Sequence, residues 1–406
     1  MYQLEGKKCS FLLCLGISMI IVSLIYFKTR IPTDLKQLQR DCRNFSNECR
    51  PILNGPETAV KWYRRDCQVH NRTCSELIRD LHFITRPLSQ EEEDYPLAFI
   101  MTIHKDLEMF VRTLRAIYMP QNVYCIHIDA QAPLEYKKIV MGLVSCFENI
   151  LLSSQSETVT YDLIRSNVGW KKVVNLCGQD FPIKSNLELV QHMQSREWRD
   201  KNLTPGVKQP AHIRSRTEFQ HQEIVGSHVI QKGEKKKPPP DNLQIYFGTA
   251  YYALTRAFVD FVLKSQIALN LLKWSRDTYS PDEHYWVTLN HLIEAPGSRV
   301  DGSWEGNVRA KKWSDQEGTA HQGCKGHYVR DICVYGMGDI EWIINNNNMF
   351  ANKFESNAYP EALDCLEQWH RSKVLNQANI PVQPSWVLAI TEKLSTSDDF
   401  NSTTVK

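Results

Sequence analysis

The sequence predicts an α/β body with a largely parallel central sheet flanked by helices, set behind an N-terminal transmembrane anchor and a stem. Three features carry that expectation. There is one charge-free apolar run near the N-terminus. Two buried-strand patterns are separated by an amphipathic helix. Cysteines and N-x-S/T sequons fall almost wholly after the apolar run.

The apolar run, Cys9 to Phe27, is long enough to cross a bilayer at about 1.5 Å per residue. It ends in Tyr26-Phe27-Lys28 rather than in small residues, which favours a retained anchor over a cleaved signal peptide. Lys7 and Lys8 precede it and Lys28 and Arg30 follow it, so flanking charge does not set the orientation. Ten of the 12 cysteines lie beyond it, with sequons at Asn44, Asn71, Asn202 and Asn401 read as glycosylation sites. Scattered cysteines beside sequons indicate an oxidising lumen. The expected layout is a cytosolic tail (1–8), a signal-anchor helix (9–27), a lumenal stem (28–94), a catalytic body (95–375) and a polar tail (376–406). Lys+Arg of 48 against Asp+Glu of 46 argues against a nucleic-acid binder.

Within the body, Leu97–His104 and Asn122–Asp129 read as buried strands. Between them Asp106 is a helix N-cap, and Leu107, Phe110, Val111, Leu114 and Ile117 recur at helical spacing. Strand, helix, strand with short links indicates parallel pairing. Ile150–Leu152 is placed for a third strand, Trp170–Ile183 for another that enters a turn, and Ala257–Leu263 for a helix. Lys232–Pro240 reads as a solvated basic loop. Cys324–Gly336, with two cysteines around a strand-like core, reads as a stapled hairpin.

The chemistry begins at the strand ends. Ile128-Asp129 puts a carboxylate at the carboxyl edge of a parallel sheet, where open α/β sheets bind ligands; ribose or base contact and simple capping weigh equally there. Nucleotide-sugar enzymes of this architecture often carry Asp-x-Asp at that point for a divalent metal, but here the run is Asp129-Ala130-Gln131. No His/Cys/Asp/Glu cluster in the sequence has metal-ligand spacing. Neutralising a leaving diphosphate without metal needs fixed cations, and Arg330, Lys353 and Arg309 are the candidates. In Tyr279–Trp286, Ser280 is an N-cap and Pro281 the first helical residue, which puts Asp282 and Glu283 in the first turn. Acids there favour the helix dipole without any catalytic role. Walled by Tyr279, Tyr285 and Trp286, Glu283 would instead be a general base with a raised pKa.

The runs RAIYMPQNVYCIHID, NLCGQDFPIK, DTYSPDEHYWVTLN, GCKGHYVRDICVYG and FANKF together resemble the β-1,6-N-acetylglucosaminyltransferases that make core 2 and I branches. The likeness covers about Leu81 to Cys365. It implies a GT-A-like fold in a Golgi, single-pass type II membrane enzyme. It also implies an inverting, metal-independent transfer from UDP-GlcNAc to the 6-hydroxyl of GalNAc or Gal on a glycoprotein glycan. Matched residue by residue, Glu283 is the catalytic base, and Arg330 and Lys353 hold the diphosphate. Thr102, Ile103, His104, Asp129, Ala130, Gln131 and Tyr161 make the uridine and donor contacts, and Arg216 and Trp313 fall near the acceptor. The implied disulfides are Cys49–Cys365, Cys74–Cys146 and Cys324–Cys333, with Cys177 a free thiol. No cofactor or metal is expected. The partners are UDP-GlcNAc, the glycan acceptor and the Golgi membrane, with a homodimer admitted.

The chain departs from the family after Tyr161. About a dozen residues of a helix with an SRLQADLNC-like motif are missing there, among them the one that pairs with Cys125. That loss supports an alternative, a catalytically impaired lumenal member that binds sugar or a partner enzyme. A peptide-O-xylosyltransferase-like enzyme would need larger added domains than 406 residues allow. A glycosidase would need two carboxylates about 5–9 Å apart across a bond, which adjacent Asp282 and Glu283 do not give.

Overall fold

The computed structural model describes residues 73–153, 163, 166–224, 228–305 and 308–388. The anchor segment lies outside them, as do Cys42, Cys49, Cys67, Tyr161 and the sequons at Asn44, Asn71 and Asn401. Among the described residues no helix is long and apolar enough to cross a membrane.

The chain enters through α1 (Cys74–Asp80) and α2 (Gln90–Asp94), then builds β1 (Leu97–Ile103), α3 (Leu107–Ile117), β2 (Val123–Ile128), α4 (Leu134–Val144) and β3 (Ile150–Leu152). It continues through β4 (Lys172–Cys177), β5 (Asp180–Pro182) and α5 (Asn186–Gln194). After β6 (Gly206–Lys208) come the short α6 (Ser215–Glu218) and the hairpin of β7 (Phe219–Glu223) and β8 (Val229–Lys235). Next are β9 (Tyr246–Gly248), β10 (Ala253–Thr255), α7 (Arg256–Lys264), α8 (Gln266–Ser275) and α9 (Asp282–Asn290). The last part holds β11 (Arg309–Ala310), β12 (His327–Val329), β13 (Ile332–Val334), α10 (Ile340–Ile344), β14 (Phe350–Asn352) and α11 (Pro360–Asn376).

The main sheet runs β10-β4-β1-β2-β3, parallel except for β10. Successive side chains of β1 point to opposite faces, as a pleated strand requires. Leu97, Phe99, Met101 and Ile103 join the α3 and α4 side of the core, with Phe110, Leu114 and Val140. Ala98 and Ile100 join the opposite side, with Phe258, Val259 and Leu271 of α7 and α8. A strand buried on both faces reads as the continuous apolar run seen in the sequence. Asp106 caps α3 as expected, accepting from the Met109 N–H at 2.9 Å.

Two boundaries move. The expected stem reaches into the packed body: Leu77, Phe83, Ile84 and Leu88 are buried. Glu92, in its acidic cluster, is buried too, accepting from Ser89 Oγ at 2.7 Å and Asn186 Nδ2 at 2.8 Å. At the other end Trp386, in the expected polar tail, is fully buried against Ile84 and Leu88. A sequence pattern of mixed polarity hid these anchors because they come singly or in short runs among polar residues.

The Cys74–Cys146 and Cys324–Cys333 bridges are present. Cys365 is disulfide-bonded, and its expected partner Cys49 lies outside the described residues. Asn202 does not fit a glycosylation site. Its side chain is fully buried, donating to Asn290 Oδ1 at 3.0 Å and the Pro296 carbonyl at 2.9 Å, and accepting from the Thr255 N–H at 2.9 Å.

Candidate active site

β4 lies on one side of β1 and β2 on the other, so the chain reverses its winding direction between β1 and β4. Such a switch point opens a crevice at the carboxyl ends of the two strands. The ends of β1, β2 and β4 are joined there: the Asp129 N–H reaches the Ile103 carbonyl at 2.9 Å, and the Gly178 N–H reaches the Thr102 carbonyl at 3.0 Å. Thr102 and His104 are exposed at this edge, as are Ala130 and Gln131. Ile103 is fully buried, and its side chain belongs to the core. The Asp129 carboxylate folds back onto the Gln131 N–H at 2.7 Å, making the turn after β2. Burial and Lys105 push the His104 pKa down, with Asp129 opposing them.

The far wall is a small sheet, β11-β14-β5, and the β12–β13 hairpin. Arg330 and Asp331 form the hairpin's two-residue turn with φ of 49° and 63°. Positive φ at both positions marks a type I′ turn. The turn exposes Arg330, and the Lys353 Nζ donates to the Val329 carbonyl at 2.8 Å just beside it. Lys353 is therefore buried and fixed rather than snorkelling, and burial lowers its pKa, with Arg330 adding to the effect. Arg309 does not join these cations. Its guanidinium is buried against Asp180 at 3.0 Å, over the Tyr251 and Phe350 rings, and ties the small sheet to β4 by donating to the Asn175 carbonyl.

Glu283 stands in the first turn of α9. The helix begins at Asp282 with Pro281 as its N-cap and no side-chain cap, one residue later than the sequence suggested. Arg216 from α6 pairs with Glu283 Oε2 at 2.7 Å, its guanidinium lying over Phe247 at 5.4 Å and Tyr279 at 5.0 Å. Burial raises the Glu283 pKa, Arg216 opposes the shift and Asp282 adds to it. Asp282 is also raised by burial, although it accepts from its own N–H and that of Glu283. His284 is driven down to about 4 by burial, so it is neutral near pH 7. Of the three expected aromatic walls, only Tyr279 serves. Tyr285 and Trp286 turn into the core, Tyr285 donating to the Ala268 carbonyl at 3.2 Å and Trp286 packing on Tyr252 at 4.7 Å.

Residues that the sequence reading passed over join the two halves. Lys311 follows β11, with its Nζ 4.5 Å from the Tyr251 ring centroid and 5.2 Å from that of Trp313. Tyr251 in turn lies with its hydroxyl 3.8 Å from Cys177 Sγ at the end of β4. Asp180 and Cys177 act on Lys311 from the strand side and Glu283 from the helix side. The RAKKW run could have flagged Lys311 as a charge next to a strand, but nothing local tells which of its two lysines turns inward. Of the two residues expected near the acceptor, Arg216 pairs with Glu283, whereas Trp313 forms a β-bridge with Ile332 of the hairpin. Among the described residues one Cys/Asp group has ligand-like spacing: Cys324, Cys333 and Asp339. Its sulfurs are bonded to each other, and Asp339 is tied to Lys312 at 2.7 Å, so the group is a structural clamp.

A mostly parallel α/β sheet with its switch point between β1 and β4 fits a GT-A-like fold. Residues 97–344 match the family model described as Core-2/I-Branching enzyme. A human protein named probable beta-1,3-galactosyl-O-glycosyl-glycoprotein beta-1,6-N-acetylglucosaminyltransferase 7 is 53% identical over 95% of this chain and 97% of its own length. The pig protein of the same name is 45% identical over 95% of this chain and 97% of its own. A human N-acetyllactosaminide beta-1,6-N-acetylglucosaminyl-transferase is 46% identical over 92% of this chain and 98% of its own. The chain belongs to the Core-2/I-branching enzyme family and is a glycosyltransferase.

Proposed function

We propose that this chain transfers GlcNAc from UDP-GlcNAc, in β-1,6 linkage and with inversion, to GalNAc or Gal of glycoprotein glycans, as a single-pass type II protein of the Golgi. Glu283 takes the proton of the acceptor 6-hydroxyl. That oxygen bonds to C1 of GlcNAc as the bond from C1 to the diphosphate breaks on the opposite face, releasing UDP. Arg330 and Lys353 carry the charge left on the diphosphate, in place of a divalent metal. The observation that supports the reading is the half-buried Glu283 in the first turn of α9, its pKa raised by burial and its carboxylate held by Arg216 at 2.7 Å. A base works best when its pKa is brought toward the working pH. The test is transfer by the secreted lumenal body, with UDP-GlcNAc and either core 1 or lactosamine acceptors. A β-1,6-linked product supports it; donor binding without product on either acceptor would overturn it in favour of a sugar-binding member.

A further inference from the structure

Trp304, in the segment between α9 and β11, leaves 43% of its surface exposed. Apolar residues scattered over a surface are normal, so exposure alone carries no meaning. This indole is not isolated. It meets the Phe247 ring edge-on, with centroids 6.1 Å apart. The Arg216 guanidinium lies over Phe247 at 5.4 Å and over Tyr279 at 5.0 Å, and it donates to Glu283 Oε2 at 2.7 Å. A run of contacts therefore leads from an exposed indole, through a half-buried phenyl ring, to the proposed base and its arginine.

The backbone fixes both rings. On one side of Trp304 the Ser303 carbonyl accepts from the Gly206 N–H at 3.1 Å, and on the other Glu305 pairs with Arg299. Gly206 belongs to β6, which pairs with the strand β9 that carries Phe247. A Cβ at Gly206 would lie 2.5 Å from the Phe247 carbonyl oxygen, so the two strands approach too closely there for any side chain. Trp304 and Phe247 are thus anchored at the same glycine. Aromatic rings held beside a guanidinium and a carboxylate suit a pyranose, whose C–H face packs on the rings while its hydroxyls bond the charged groups. A hydroxyl that gives its proton to Glu283 must come within about 2.6–3.2 Å of it. Trp304 meets Phe247, one ring further out than the contacts of Arg216, and so stands beyond the sugar that carries that hydroxyl.

We infer that Trp304, backed by Phe247, is an acceptor-specificity residue, its indole stacking the sugar next to the one that receives GlcNAc. The inference rests on the function proposed above. It gives the site a preference for a disaccharide or longer chain over a single sugar.

The test uses the full chain in detergent, with the core 1 disaccharide and lactosamine, each beside the monosaccharide that carries its reactive hydroxyl. In Trp304→Ala, KM for the disaccharide that the enzyme uses rises about three- to tenfold, the scale of one lost aromatic contact, while kcat and the affinity for UDP hold. KM for the monosaccharide does not move. Trp304→Phe recovers most of the loss, and Trp304→Leu, apolar but without a ring face, does not. The same penalty on monosaccharide and disaccharide, no penalty on either, or a parallel loss of UDP affinity would overturn the inference. A second readout, independent of turnover, is saturation-transfer NMR with UDP and the disaccharide. Protons of the non-reacting sugar take up saturation in wild type and lose it in Trp304→Ala. If wild type transfers no sugar, the function proposed above fails, and this readout alone decides the role of Trp304. A disaccharide that wild type does not bind, or whose saturation Trp304→Ala leaves unchanged, overturns the inference. If Trp304→Ala does not fold, Trp304→Leu read the same way decides it.

Discussion

At the scale of single residues, the sequence placed Asp282 and Glu283 side by side in one helix turn, and only the family likeness marked Glu283 as the base. The structure separates them. Asp282 accepts backbone N–H groups at the start of α9, whereas Glu283 reaches out to Arg216. Glu283→Gln keeps the shape and loses the base, so turnover should fall by about 10²–10⁴ while UDP still binds. Asp282→Asn should be milder, and the reverse order in steady-state kinetics would move the base to Asp282. Because burial raises the Glu283 pKa, the acid limb of kcat/KM should lie above the ordinary carboxylate range, with activity lost as pH falls through it. Asn202 gives a second expectation at this scale. A sequon is three letters, and nothing in those letters says that the asparagine bridges β10 to the end of α9 from inside the core. Glycopeptide mass spectrometry should find Asn202 unoccupied; a glycan there would contradict the buried side chain.

At the scale of elements, β1, α3, β2 and the stapled hairpin were legible because each announces itself locally, by a continuous apolar run, a 3.6-residue period or a pair of cysteines. α11 was not read, since it packs with charged residues that a pattern treats as surface. Burial works to raise the Glu367 pKa, but Arg115 and Arg112 of α3 overcome it and hold it below the usual range. Arg112 meets Glu367 at 3.0 Å, and Arg115 is hydrogen-bonded to it as well. Glu367→Gln leaves the Arg115 guanidinium buried without its counter-charge, while Arg112 keeps Glu108 and Asp364; losing one partner of a buried pair costs about 3–5 kcal/mol. The pH sign follows from the lowered pKa. The stabilisation is complete above the unfolded-state carboxylate pKa and is lost as pH falls through the folded one. Thermal melts should therefore show Glu367→Gln well below wild type at neutral pH, with the gap closing in acid. A constant gap would mean that the cost is lost packing rather than lost charge.

At the scale of the whole molecule, the alternation of buried strands predicted a parallel sheet, and so the edge where ligands bind. The closing of the crevice by β11, β14 and the hairpin was not legible, because it joins distant segments, such as Asp180 to Arg309 and to Asn352, 129 and 172 residues on. In the proposed function Lys353 and Arg330 carry the diphosphate charge in place of a metal. Transfer should then persist in EDTA, and Lys353→Ala should cost about 2.7–4 kcal/mol of transition-state stabilisation, the scale of a lost oxyanion donor. Activity that vanishes with EDTA and returns with Mn²⁺ would remove that role from the cations. The same scale holds the strongest reason to expect an impaired enzyme. The segment that the family likeness expects after Tyr161 would fall between β3, the edge strand of the main sheet, and β4, which pairs with the central β1. In the family likeness it also borders the donor site. A helix removed from such a connection takes with it buried side chains worth about 2–5 kcal/mol each, against a total stability of about 5–15 kcal/mol. Restoring the family's segment after Tyr161 should thus raise both secreted yield and UDP-GlcNAc turnover over those of the present chain, measured side by side. Equal yield and equal turnover would make the segment dispensable and leave the impaired-member reading without support.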